Sequence, residues 1–113
     1  MDLETRLSML DKQLDQALRT LRINGNAYAE AEKNYKEAVS KKALELRDEG
    51  MAVTLMDKVI YGLPSISTLR CIRDIAKTQY EANQEAINVK KLQIRIVEAQ
   101  IEREWGNPNA RYD

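Results

Sequence analysis

The sequence predicts an all-α fold: a long antiparallel helical hairpin of coiled-coil type with a short connecting helix. Three observations carry that expectation. The 113 residues are rich in Ala, Leu, Glu, Lys, Arg and Gln, all strong helix formers. Only 4 glycines and 2 prolines interrupt them. Apolar residues recur in steps of three and four along two segments that flank a break at residues 50–65. By length the chain is a single domain.

The first helix is expected over residues 2–49. Asp2 can cap it, because a carboxylate there accepts from unpaired first-turn amides and complements the positive end of the helix dipole. Leu3, Leu7, Leu10, Leu14, Ala17, Leu21, Tyr28, Ala31, Tyr35 and Ala38 form one stripe. Past Ala38 the stripe drifts to Val39, Ala43 and Leu46, as a helix of 3.6 residues per turn leaves a 3.5 repeat. Asn24-Gly25-Asn26 reads locally as a turn, and a helical glycine costs about 1 kcal/mol against alanine. Because the stripe resumes in phase at Tyr28, a continuous or slightly kinked helix is favoured over two helices. Gly50 then serves as a left-handed C-terminal cap.

The connector, residues 50–65, is expected to hold a short helix at about 55–61. Thr54 and Asp57 have capping-box spacing, Gly62-Leu63-Pro64 ends the helix, and Ser65 or Ser67 caps the next. Val53, Leu55, Met56, Val59 and Ile60 are too many apolar residues for an idle loop. They either plug the end of the hairpin or form a tip on which a partner docks.

The second long helix is expected over residues 66–105, with Leu69, Ile72, Ala76, Tyr80, Asn83, Ile87, Lys90, Ile94, Val97, Ile101 and Trp105 along its seam. Closing the hairpin symmetrically about the break sets Tyr35 opposite Tyr80, Tyr28 opposite Ile87, Asn24 near Lys90 and Lys91, and Leu10 opposite Trp105. Val89, Leu92 and Ile96 make a second apolar row beside Ile94, Val97 and Ile101. One partner helix cannot cover both rows, and a two-helix hairpin has little core. A dimeric or higher helical bundle is therefore expected, with Val89, Leu92, Ile94, Ile96, Val97, Ile101 and Trp105 at the oligomer interface. Gly106 and Pro108 stop the helix, and residues 106–113 are expected to be a flexible tail.

The chemistry on offer is sparse. With no histidine and 1 cysteine, the chain lacks a histidine base, a histidine metal ligand and a complete structural zinc set. No glycine-rich phosphate loop or nucleophile elbow occurs. Glu30 and Glu32, Glu45 and Glu49, and Glu98 and Glu102 read as solvated carboxylates, and Cys71 as a small buried or half-buried hydrophobe. No enzyme activity, catalytic residue, metal or cofactor is expected. Lys plus Arg equals Asp plus Glu at 18 each, so no global field draws the protein to nucleic acid or membrane. Residues 33–95 do carry 12 basic and 8 acidic side chains, a weak basic belt. Within it Lys33, Lys36, Lys41, Arg70, Arg73 and Lys77 are candidate nucleic-acid contacts, although Tyr28, Tyr35 and Tyr80 sit in the seams rather than on stacking platforms. No run approaches the roughly eighteen apolar residues of a membrane span, and Asp2-Leu3-Glu4 does not open a signal segment. A cytoplasmic protein without membrane contact is expected.

Two stretches carry a resemblance. Glu85-Ala86-Ile87-Asn88-Val89-Lys90-Lys91-Leu92, continuing to Glu102-Arg103-Glu104-Trp105, resembles a family of small α-helical proteins from phages and prophages of Gram-positive bacteria. The likeness extends to Tyr28-Ala29-Glu30-Ala31-Glu32 and to the segment from Leu44 to Met51. It implies expression in the cytoplasm of a bacterial host and brings no catalytic residue. Such proteins often blunt host defences or nucleases, or assist recombination. Two functions follow as expectations: a self-associating, non-catalytic protein that binds a host or phage protein, or a nucleic-acid-binding accessory of phage replication or recombination. A small ligand held at an oligomer interface is a third.

Overall fold

The computed structural model describes residues 1–106 and is all-helical, with no strand among the described residues. Helix α1 runs Leu3–Asp48, α2 Val53–Gly62 and α3 Pro64–Trp105. The long helices pack antiparallel, so the fold is the helical hairpin that the periodicity predicts. The expected tail lies outside the described residues apart from Gly106.

The helix ends follow backbone chemistry. Asp2 caps α1 as expected: its Oδ1 accepts from the Thr5 amide at 2.7 Å, and its carbonyl accepts from the Arg6 amide at 3.0 Å. Those bonds from Thr5 hold the Asp2 carboxyl below its ordinary range. At the other end Gly50 adopts φ +86°, a left-handed conformation that glycine takes without steric cost. The Gly50 amide donates to Arg47 and the Met51 amide to Leu46, each at 3.0 Å, which is a Schellman closure. Met51 packs on the cluster that contains Leu46, supplying the apolar contact that accompanies this motif.

The starts of α2 and α3 differ from expectation. Ala52, not Thr54, is the N-cap of α2; it makes no side-chain bond, and the helix begins at Val53, two residues early. Neither Ser65 nor Ser67 caps α3, which starts at Pro64. The ring presets the helical φ, and its missing N–H falls where no intrahelical partner exists. The Ser67 amide closes the first turn onto the Leu63 carbonyl at 2.9 Å.

The chain forms two compact units. One is the continuous stretch Ile23–Glu81. Its core holds Tyr35, Leu46, Met56, Ile60 and Ile66, with Ala38, Val39, Ala43, Met51, Leu63 and Leu69 packed around them. Ile60 is only 2% exposed, so one side of α2 does plug this core. Lower in the same unit, Tyr80 lies against Tyr28 with ring centroids 6.1 Å apart, and Arg73 lies over Tyr35. The expected opposition of Tyr35 and Tyr80 is therefore wrong by about one heptad. The symmetric estimate treats the connector as a plain turn, whereas α2 lies in the core beside Leu46 and Tyr35 and starts α3 farther down α1. Sliding by seven residues keeps every seam residue in phase, so periodicity alone cannot detect the shift.

Gly25 is explained in this unit. Helix α1 continues through Asn24-Gly25-Asn26 without a break. A Cβ at Gly25 would lie 3.3 Å from Tyr80 Cε2, so the glycine lets the Tyr80 ring rest on the α1 backbone.

The second unit joins Met1–Arg22 to the chain from Ala82 onward. Leu10, Ile87 and Val97 are its buried apolar residues, Val97 at 1% exposure. Asn83 Nδ2 donates to the Ala17 carbonyl at 3.1 Å, and Lys90 Nζ donates to Gln13 Oε1 at 2.7 Å. Lys90 therefore reaches Gln13, not the expected Asn24. This pairing sets Leu10 level with about Gln93, so Trp105 lies roughly 18 Å farther along α3 at 1.5 Å per residue. The expected opposition of Leu10 and Trp105 is therefore not realised, and the Trp105 side chain is 65% exposed.

Candidate functional site

Three groups of side chains follow from the sequence: the apolar face of α2, the second apolar row of α3, and the central basic belt. The apolar residues of helix α2 divide into buried and exposed ones. Met56 and Ile60, four apart on one side, are buried in the core. Leu55 and Val59, four apart, face out at 53% and 37% exposure; Val53, in the first turn on the Met56 side, is 75% exposed, and Tyr61 is exposed on the opposite flank. The five candidate tip residues are thus two core residues and three surface ones, and Tyr61 joins the latter. Its aromatic ring on a strongly apolar helix was the signal available in the sequence.

The expected oligomer interface on α3 divides in the same way. Val97 is fully taken up inside its own unit, with Ile94 and Ile101 half-buried beside it on the inner seam, so Val97 is not available to another chain. Val89, Leu92 and Ile96 are exposed on the outward side, as is Trp105. Nearer its start, α3 departs from the expected seam. Arg73 occupies the inward position assigned to Ile72, which turns out to solvent at 51% exposure. Cys71 is exposed as well, where a buried or half-buried position was expected. With Ile75, Thr78 and Gln79 it lines a shallow open depression on α3.

The basic belt is heavily paired with carboxylates. Lys33 lies 4.0 Å from Glu37, Lys36 3.3 Å from Glu32 and Lys77 3.9 Å from Glu81, each across one helical turn. Arg73 donates through Nε and Nη2 to Asp74 Oδ1 at 3.0 and 2.9 Å, lies 3.8 Å from Glu32, and stacks its guanidinium 4.5 Å from the Tyr35 ring centroid. The bond to Asp74 is the chief reason the Arg73 pKa rises. With its side chain only 23% exposed, Arg73 belongs to the helix interface rather than to an outer phosphate-binding face. Four of the six candidate contacts are therefore neutralised locally. The i,i+4 acid–base spacing that produces three of these pairs was readable in the sequence. Lys41 and Arg70 are exposed on different helices.

Among the described residues, no group of three or more Cys, Asp or Glu side chains is placed to hold a metal ion, and no helix is long and apolar enough to cross a membrane. Comparison of the chain with protein-family models, curated proteins and solved structures found no match.

Proposed function

We propose that this chain is a non-catalytic, self-associating interaction protein that binds another protein through apolar side chains its own helices leave uncovered. The observation that carries this reading is the division of α2. Met56 and Ile60 anchor the helix in the core, which holds Leu55 and Val59 outward, with Val53 exposed in the first turn. The Leu55 and Val59 pair, one turn apart, matches helix-and-groove recognition, in which apolar anchors at helical spacing give most of the affinity. The resemblance to small phage proteins makes a host or phage protein in the bacterial cytoplasm the partner class, and inhibition of a host defence or nuclease the purpose. Nucleic-acid binding is the weaker reading, because the carboxylates beside Lys33, Lys36, Arg73 and Lys77 cancel much of the charge that would release counterions from a phosphate backbone.

The test compares the wild-type chain with a Val53→Asp/Leu55→Asp variant. Both sites are exposed, so the variant is expected to melt like the wild type, and it should lose the host protein that the wild type retains and that mass spectrometry identifies. Equal retention by both would remove α2 as the docking surface. Salt-sensitive DNA binding abolished by Arg70→Glu/Lys77→Glu would favour the nucleic-acid reading instead.

A further inference from the structure

We infer that a second copy of this chain docks antiparallel on the outward face of α3 between Glu85 and Arg103. The inference rests on the self-association in the reading above and assigns it a surface and a direction. Three observations support it, all within the unit that contains the later part of α3. Val89, Leu92 and Ile96 are between 44% and 55% exposed, while Ile87 and Val97 on the opposite side are buried against α1. Helical spacing places Ala86, Val89, Leu92, Ile96 and Ala99 on or beside the outward face, with Asn88 and Arg95 along one edge. The two ends of that face carry opposite charge.

The order of these residues selects the direction. In a twofold antiparallel pair centred on Leu92, Val89 meets Ile96 of the second copy and Ala86 meets Ala99, each contact occurring twice. Glu85 then comes within side-chain reach of Arg103 of the second copy at both ends. A parallel pair would set Glu85 against Glu85 and Arg103 against Arg103. The apolar centre thus supplies adhesion and the charged ends supply orientation. Three half-exposed aliphatic side chains fall well short of the roughly 800 Å² per partner of a standard interface, so the association is weak and concentration-dependent.

Sedimentation equilibrium over a wide concentration range tests the proposal on wild type, Leu92→Asp, Glu85→Lys, Arg103→Glu and the Glu85→Lys/Arg103→Glu double variant. Far-UV circular dichroism confirms that each keeps its helix content. The wild-type mass should rise from 13.0 kDa toward twice that value. Leu92→Asp should remain a monomer. Each single charge variant should weaken association about tenfold, since it turns two rim attractions into repulsions, and the double variant should regain wild-type behaviour. Leu92→Asp associating like wild type would move self-association to another surface, overturning this inference but not the reading above. Single variants that weaken association without rescue in the double variant would refute the antiparallel direction. Single variants that associate like wild type would refute the charged ends as its cause. A wild-type mass fixed at 13.0 kDa at every concentration would overturn both the inference and the self-association it rests on.

Discussion

Gly25 is the residue whose substitution tests the packing most directly. A glycine in a helix interior costs about 1 kcal/mol relative to alanine, so Gly25→Ala in an isolated helix would be stabilising by that amount. In this structure the new methyl would sit 3.3 Å from Tyr80 Cε2 and 3.7 Å from Cδ2, whereas carbon atoms prefer about 3.5–4.0 Å. The ring has to retreat by a few tenths of an ångström, and Tyr28 already packs against it. Overpacking of this kind costs about 1–3 kcal/mol, and the small displacement puts it at the low end. Gain and loss nearly cancel, so Gly25→Ala alone is expected to change stability by less than about 0.5 kcal/mol. In a Tyr80→Ala background the obstacle is gone and the same substitution should stabilise by about 1 kcal/mol. Urea unfolding of the four proteins, followed by far-UV circular dichroism at a fixed low concentration, gives a coupling energy of about 1 kcal/mol. Equal stabilisation by alanine in both backgrounds would refute the claim that Tyr80 needs the glycine.

Other perturbations follow from the same packing. Ile60→Ala should cost about 2–5 kcal/mol, because the side chain is 2% exposed in a closed cluster, while Val59→Ala one residue earlier should cost well under 1 kcal/mol; denaturant melts of the pair measure the difference. Gly50→Ala should destabilise by about 1 kcal/mol by forcing a side chain into φ +86°, visible as a lower melting temperature. The folded-state pKa of Asp2 is depressed, so its stabilising contribution is present above the unfolded value near 3.9 and declines as pH falls through the lower folded value. Wild type should therefore lose stability relative to Asp2→Ala as pH falls through that window, and acid melts showing a constant difference would remove Asp2 as a charged cap.

How far the sequence discloses this molecule depends on what each feature answers to. The stripe from Leu3 to Ala38 was legible because burial against one neighbouring helix imposes its own period, and none of those stripe residues is exposed. Gly50 was legible because its stereochemistry is a property of the residue itself. The pairing of α1 with α3 was not, because a heptad pattern matches itself after every seven residues. What chooses among those matches is the way α2 fills the cluster around Ile60 and the fit of Tyr80 over Gly25, both contacts between distant residues. Ile72 and Arg73 were exchanged for a related reason: hydrophobicity favours isoleucine in a seam, but an arginine whose plane lies on Tyr35 and whose donors reach Asp74 satisfies the same position. Among candidate surfaces, the existence of spare apolar residues on α2 and α3 was readable. For the later part of α3 the inward side was readable as well, since the seam through Ile94, Val97 and Ile101 is covered and the row of Val89, Leu92 and Ile96 is not. In α2, by contrast, the division between Met56 and Ile60 and their neighbours depends on the fit into the core.

The division of the chain into one continuous unit and one assembled from distant stretches has a consequence in time. Ile23–Glu81 can close through contacts between near neighbours in sequence, whereas Met1–Arg22 must wait for residues some sixty positions later. During synthesis the leucines of the first turns of α1 emerge long before Ile87 and Val97 exist to cover them. Throughout that interval the nascent chain carries a bare adhesive strip, a site for chaperones or for premature encounters between neighbouring ribosomes.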